Sequence, residues 1–433
     1  MKKGIYRLLA VASAVSIMAS TVTVQASMVT TNGTAGTVTT DSITGWPTAP
    51  SVSSETAVLI DADTGAVLYD KGMEEYRYPA SITKLMTILV AVENSSLTDE
   101  VTFTETGIRD ITWDSSNINA QLGEVMTMED CLHAAYIESA NEVCAQIAEY
   151  VGGTEENFVE MMNQKAQELG CTHTHFANAN GLPDENHYTC ALDMAKIMRA
   201  GLNNKEFCDI IGDTDYTIPA TNKSEKRSMH THVPLMAKES AEYYEGCIGG
   251  KTGNTNDAKH TLVIAAKRNG HTYIAVTLRA EDLGINCADS KALFDYAFNS
   301  FDNIIVGNRH MTVPKGVTED QLTAETVENN GKTTVRYYYS GQFVGDVAEI
   351  QATSTPTPEP TETIAESIAT ETADDEIDGT VSSTQQQTQS FTEQISEIKE
   401  NGLSNTMKLL LGLMGAMVIV LIVLLVVLHK KNR

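Results

Sequence analysis

From Glu55 to about residue 302 the chain alternates short apolar runs with stretches of helical period. Ala57-Val58-Leu59-Ile60 and Ala66-Val67-Leu68-Tyr69 flank the turn-forming triplet Asp63-Thr64-Gly65 and predict a hairpin. Ser81 to Val92 is strongly apolar and predicts a helix. Thr127-Met128-Glu129-Asp130 sets a hydroxyl three residues before a carboxylate, a capping-box start. Apolar residues at helical spacing then run to about Tyr150, and Phe158 to Leu169 predicts another helix. Thr261–Lys267 and Thr272–Arg279 read as strands on either side of Asn269-Gly270, a dipeptide suited to the positive φ angles of a tight hairpin.

Other segments carry other patterns. Residues 27–53 are rich in Thr, Ser, Val and Gly, show little periodicity, and read as a flexible leader. Residues 303–350 form short β-like runs such as Thr333 to Tyr339, punctuated by Asn329-Asn330-Gly331 and Ser340-Gly341; they predict a small β module. Residues 351–408 turn to Thr, Ser, Pro, Glu and Gln. Such a segment buries too little apolar surface to offset its ordering entropy, so a disordered acidic stalk is expected. Leu409 to Leu428 holds no charge and no proline over about the length a bilayer core requires, and reads as a transmembrane helix. Lys430, Lys431 and Arg433 follow, placing the tail 429–433 in the cytoplasm and the preceding chain outside. At the other end, Lys2, Lys3 and Arg7 precede an apolar run, Leu8 to Ala19, too short to span a bilayer. Val24 and Ala26 supply small residues for cleavage, so residues 1–26 read as a signal peptide. The expected location is the cell membrane, single-pass, with the folded part extracytoplasmic.

Composition narrows the function. The 433 residues carry 57 acidic and 30 basic side chains, a formal charge of −27. Nucleic-acid binding calls for clustered Lys and Arg and is disfavoured. The charge is also uneven, since residues 351–400 hold 11 acids and one lysine. Seven cysteines, at 131, 144, 171, 190, 208, 247 and 287, include no C-x-x-C pair, and their odd number leaves at least one without an intramolecular partner.

Three short constellations carry candidate chemistry. In Pro79-Ala80-Ser81-Ile82-Thr83-Lys84, Ser81 opens the apolar helix and Lys84 lies one turn on, on the same face. The helix N-terminus favours negative charge developing beside Ser81. A lysine partly buried by Leu85 and Met86 can lose its proton and serve as a base. Taken alone, a capping serine near an ordinary lysine is the commoner meaning of this spacing. Ser139-Ala140-Asn141 interrupts the helical run from Glu129, and its two polar side chains reach one cleft where the backbone turns. By itself such a triplet is more often a turn or cap. Gly249-Gly250-Lys251-Thr252-Gly253 presents an ammonium and a hydroxyl to a carboxylate, and Gly253 lets another backbone come close. Alone it reads as a glycine-rich turn.

In the order S-x-x-K, S-x-N, K-T-G, the three together match the signature of penicillin-binding proteins and serine β-lactamases. Further stretches narrow the match: Leu59-Ile60-Asp61 with Thr64-Gly65, Met162-Asn163, Leu169-Gly170, Thr174-His175-Phe176, Asn180-Gly181-Leu182, His187, and Ala191-Leu192-Asp193. Over roughly residues 55–300 the chain resembles the low-molecular-weight penicillin-binding proteins, the serine-type D-alanyl-D-alanine carboxypeptidases. The resemblance implies an α/β (α+β) catalytic domain over 54–302, an antiparallel sheet flanked by helices. Its cleft would lie between the K-T-G strand and the Ser81 helix. It implies that Ser81 attacks the carbonyl between two terminal D-alanines, that Lys84 takes its proton, and that Ser139 relays a proton to the leaving amine. Asn141 would position the substrate amide and Lys84, while Lys251 and Thr252, beside Gly253, hold the terminal carboxylate. The N–H groups of Ser81 and Asn254 would form the oxyanion hole. No cofactor is implied. The expected partners are peptidoglycan stem peptides, β-lactams as inhibitors, and the membrane through the C-terminal helix.

The chain also departs from the family pattern. Glu142 stands where Asp is common, and Gly284-Ile285-Asn286-Cys287 where an Arg is often found, Arg279 being the nearest. The 303–350 module is short for the family's second domain, and a full span replaces a shallow amphipathic anchor. Among other readings, a class A β-lactamase needs a Glu in an E-x-x-L-N stretch, which Glu168-Leu169-Gly170-Cys171-Thr172 does not supply. A DD-endopeptidase cutting cross-links would use the same residues, and a catalytically weak penicillin-binding wall sensor would keep the fold. The pairs His173/His175 and His230/His232 share a strand face and offer two metal ligands each. No third ligand is evident, so no metal centre is expected.

Overall fold

The computed structural model describes residues 38–348 apart from 110, 113, 114, 330 and 331. The expected signal peptide (1–26), stalk (351–408), span (409–428) and tail (429–433) lie outside the described residues. Among those described, no helix is long and apolar enough to cross a membrane.

Strands β1 (Thr56–Asp61) and β2 (Val67–Lys71) form the predicted hairpin. A 3-10 turn, Ala80–Thr83, leads into α1 (Lys84–Asn94). Then come β3 (Glu100–Thr102), α2 (Thr106–Arg109) and β4 (Val125–Thr127). Helix α3 (Met128–Ile137) starts on a capping box between Thr127 and Asp130. The interruption expected at Ser139 is present, with that residue at φ +58°, and α4 (Asn141–Gly152) begins two residues later. Helices α5 (Glu155–Glu168), α6 (Ala191–Gly201) and α7 (Lys205–Gly212) follow, then the ribbon β5 (Asp215–Ile218) and β6 (Arg227–His230). Three long strands, β7 (Cys247–Thr255), β8 (Lys259–Arg268) and β9 (His271–Ala280), precede α8 (Leu283–Ser300). Asn269 and Gly270 both take positive φ, 51° and 86°, as a two-residue hairpin turn of type I′ demands.

The central sheet runs β2-β1-β9-β8-β7 and is antiparallel throughout. Every residue of β1 is buried, and its central run Ala57-Val58-Leu59-Ile60 is apolar on both faces of the sheet. Alternate residues serve opposite faces. Val58, Ile60, Val263 and Val276 join a core with Leu85, Leu132 and Ile147 of the helical layer. Ala57, Leu59, Leu262 and Ala275 join a second core with Leu293 and Phe294 of α8. The mixed architecture expected from the sequence, an antiparallel sheet with helices on both faces, is therefore present. Strand β7 lies at the edge of this sheet, which leaves it free to face the turn that carries Ser81.

The leader differs from expectation over residues 38–53. Trp46 is only 8% exposed and donates its indole N–H to the Leu68 carbonyl at 3.0 Å. Asp289 of α8 accepts from the backbone N–H groups of both Ser53 and Ser54. Lys71 of β2 donates to the carbonyls of Val52 and Ser54 at 2.9 and 2.7 Å. These partners are distant in sequence, so local periodicity carries no sign of them. The 303–350 segment is β-rich as read, with β10 (Phe301–Val306), β11 (Arg309–Pro314), β12 (Thr323–Asn329), β13 (Lys332–Tyr339) and β14 (Gln342–Ala348). Among the described residues it forms no separate apolar core. Val306, Met311, Val313 and Val344 share the second core with Trp46 and the sheet, and Thr64 meets Thr312 at 2.9 Å between their hydroxyls. All seven cysteines are free thiols.

If Trp46 fastens the leader to the sheet, Trp46→Ala should destabilise the fold by about 3–5 kcal/mol, as large aromatic truncations in cores do. Denaturant unfolding measures this; a change below about 1 kcal/mol would show that the leader contributes little.

Candidate active site

Ser81 stands in the 3-10 turn and Lys84 at the first position of α1. The preceding residue, Ala80, takes φ +54°, a left-handed backbone that costs a residue with a Cβ roughly 1–3 kcal/mol. The Lys84 side chain is fully buried, and burial pushes its pKa down. Its Nζ lies 3.1 Å from Ser81 Oγ, 2.8 Å from Asn141 Oδ1 and 2.6 Å from the Asn180 carbonyl. The two carbonyl oxygens can only accept. A neutral amine satisfies both with its two N–H bonds, which turns its lone pair toward the Ser81 hydroxyl. Lys84 is thus placed and electrostatically prepared to take the Ser81 proton.

A loop between α5 and α6 completes this arrangement, and the sequence motifs do not mark its role. Gly181 lies so close to Ala80 that an added Cβ would sit 2.0 Å from the Ala80 carbonyl oxygen. Thr87 donates to the Ala179 carbonyl at 2.6 Å. His187 accepts at Nδ1 from the Ala177 N–H (3.0 Å), so its proton sits on Nε2, 2.7 Å from Thr83 Oγ1. Burial drives this imidazole down to about 3, keeping it neutral as a structural tie. The signal in the sequence was Asn180-Gly181-Leu182 and His187, quoted for the family resemblance but assigned no task.

Ser139 and Asn141 arrive from the α3–α4 junction. Ser139 is buried in the left-handed region, and its Oγ has no hydrogen-bond partner among the described residues. Asn141 spends its side-chain oxygen on Lys84 and its backbone N–H on the Ser116 carbonyl (2.8 Å). Glu142, the departure noted above, is fully buried and accepts the Ile118 N–H at 2.8 Å. Its carboxyl is raised in pKa by that burial. It therefore fixes the 115–120 wall of the cleft from behind.

The K-T-G strand forms the opposite wall. Lys251 is buried, with Nζ 3.2 Å from the Thr252 carbonyl. Burial, and secondarily the charge of Lys84, lower its pKa to about 7. A Cβ on Gly253 would stand 2.8 Å from the Ser81 nitrogen, so only glycine lets β7 approach the Ser81 N–H this closely. Ser81, Asn141, Asn180 and Asn254 line one cavity of 520 Å³. Lys84, Ser139 and Lys251 are buried, Lys84 directly behind Ser81 and Asn141, and half-buried Thr252 follows Lys251 on β7.

Other candidate residues go elsewhere. Arg279 pairs with Glu55 and donates to the Asp257 carbonyl at 3.5 Å, and it does not line the cavity. His230 pairs with Asp215, and His232 lies 3.8 Å from Glu138. His173 approaches Cys190 and Asp193 rather than His175, with ligand atoms within 4.8 Å of one another. The Asp193 carboxylate is already occupied by the His173 N–H, Thr174 Oγ1 and the Lys196 ammonium at 2.7–2.9 Å. Its work is to hold a loop onto α6, and the adjacent ammonium disfavours a divalent cation there.

The family profile described as D-alanyl-D-alanine carboxypeptidase matches residues 44–282, more than half of the chain. The chain belongs to the D-alanyl-D-alanine carboxypeptidase family. Among relatives, it is 33% identical over 267 residues to the D-alanyl-D-alanine carboxypeptidase DacF of Bacillus subtilis, covering 60% of this chain and 66% of that one. It is 29% identical over 270 residues to DacC of Escherichia coli, covering 59% and 64%. The chain thus spans just under two thirds of the length of these relatives. Among solved structures, penicillin binding protein 5 from Haemophilus influenzae superposes with a TM-score of 0.59 at 26% identity, covering 70% of this chain and 97% of that one.

For a D-alanyl-D-alanine carboxypeptidase fold, the close approach at Gly253 yields a direct expectation. Gly253→Ala should slow acylation by a fluorescent penicillin by about 10²-fold or more, the scale of losing one oxyanion donor. Gel-based labelling rates test this, and wild-type rates in the variant would show that the contact is unimportant.

Proposed function

We propose that this chain is a serine-type D-Ala-D-Ala carboxypeptidase, trimming the terminal D-alanine from peptidoglycan stem peptides through an acyl-enzyme. The observation that carries this reading is the buried Lys84 amine between Ser81 Oγ and two obligate acceptors. Ser81 Oγ bonds to the carbonyl carbon between the two D-alanines as its proton passes to Lys84. The oxyanion rests between the N–H groups of Ser81 and Asn254. The C–N bond then breaks, and the departing D-alanine amine takes a proton relayed by Ser139, whose hydroxyl has no partner among the described residues. Asn141 orients the substrate amide and Lys84, and Lys251 with Thr252 grips the departing carboxylate beside Gly253. Water finally attacks the ester, releasing the shortened peptide and restoring Ser81. A β-lactam, presenting a strained amide and a carboxylate to the same groups, would acylate Ser81 and block turnover.

The signal-like residues 1–26 and the charge-free segment 409–428 support a single-pass membrane location, with the acidic segment 351–408 as spacer and the enzyme outside.

Two experiments test this function. Ser81→Ala should abolish both D-alanine release from a D-Ala-D-Ala-ended muropeptide and covalent penicillin labelling; undiminished labelling would remove Ser81 from its role. The lysines predict a pH profile with a definite sign. Activity requires Lys84 neutral, so it rises with pH. It also requires Lys251 charged to bind carboxylate, so kcat/KM falls as pH passes through about 7. Lys251→Gln should raise KM and lose the falling limb; a falling limb that survives belongs to another group.

A further inference from the structure

The cleft is electrically polarised along β7. Lys251, the group proposed to be charged when carboxylate binds, is buried on β7 three residues before Asn254. Among the described residues lining the cavity, Asp257 is the only charged side chain, and it is exposed at the rim. The cations around it are matched to other carboxylates, Arg279 to Glu55 and Lys259 to Glu281. No ion pair to the Asp257 carboxylate is present among the described residues, so its charge faces the cavity uncompensated.

The direction of a bound peptide follows from the function proposed above, on which this inference rests. With the terminal carboxylate at Lys251 and Thr252 and the reacting carbonyl at the Asn254 N–H, the leaving residue covers the start of the K-T-G segment. The retained part of the peptide must then run past Asn254 toward Asp257. Strand β7 ends at Thr255, and Asp257 lies in the turn just beyond it, lining the same cavity as Ser81 and Asn254. The residue just upstream of D-Ala-D-Ala, with a side chain reaching about 6 Å, lies on the side of the cavity that Asp257 lines. In a stem peptide that residue is a diamino acid, whose side-chain amine is free before cross-linking and acylated after it.

We propose that Asp257 is a specificity residue: it favours peptides with a free side-chain ammonium immediately before D-Ala-D-Ala, and so favours uncross-linked stems over stems whose amine is acylated. An exposed rim pair is modest in strength, so the preference should be about threefold to fivefold in kcat/KM, expressed mainly in KM. It should weaken as salt rises from roughly 50 to 500 mM, because an exposed pair is screened.

The test compares D-alanine release by the full-length protein from Nα-acetyl-lysyl-D-Ala-D-Ala and from its Nε-acetylated counterpart. The wild type should prefer the free amine. Asp257→Asn should bring the ratio of the two rates to about one, and Asp257→Lys should invert it. A general structural defect would lower both rates without changing their ratio. Equal rates in the wild type, or a preference that survives both substitutions, would overturn the role of Asp257 while leaving the carboxypeptidase reading intact. Release from neither peptide would overturn that reading, and this inference with it.

Discussion

A lysine amine with no access to water governs the arrangement of this site. Burial lowers the pKa of Lys84, and two carbonyl oxygens take its N–H bonds, so its remaining valence faces Ser81. Neither acceptor is near it in sequence: Asn141 begins α4, and Asn180 sits on a loop 96 residues away. Both must be delivered within hydrogen-bond reach, and the backbone is strained to do it. Ala80 and Ser139 each hold a left-handed conformation next to the groups they present. The rest of the fold supplies the packing that keeps these conformations populated.

That packing comes from the two faces of one sheet. The helical layer fixes α1 and α4 against Val58, Ile60 and Val276, so Lys84 and Asn141 are carried on rigid elements. On the other face, α8, the leader and β10–β11 share a single core, which ties the segments flanking the catalytic domain to the sheet. Since β7 is the edge strand, its approach to the Ser81 turn is limited by side-chain volume, and Gly253 removes that limit. Glu142 and His187 act from behind the cleft, one holding the 115–120 wall and the other the loop that carries Asn180. Neither needs to touch a reacting atom to matter.

Charge is organised on the same axis. An acidic chain buries two lysines in this region, where burial lowers both pKa values and the neighbouring Lys84 adds to the effect on Lys251. Lowered pKa values spare the apolar interior two full ammonium charges. The acid at the rim gives the opposite end of the cleft the opposite sign.

Sequence alone determined the elements whose cause is local. The β1–β2 and Asn269-Gly270 hairpins, the Thr127 cap and the apolar α1 helix were all legible, because turn chemistry and periodicity act over a few residues. The three motifs named Ser81, Lys84, Ser139, Asn141, Lys251, Thr252 and Gly253, and the family resemblance added Asn254, but spacing could not say why they belong together. Tertiary structure decided that, since the contacts that join one motif to another cross tens to hundreds of residues. The Asn180 acceptor, the Gly181–Ala80 approach and the His187 tie have no local signature, and Trp46 in an aperiodic leader gave no sign of its buried partners. Local pattern reports what a segment can form; only the folded chain fixes which distant group satisfies a buried amine, and that pairing is where the chemistry of this site resides.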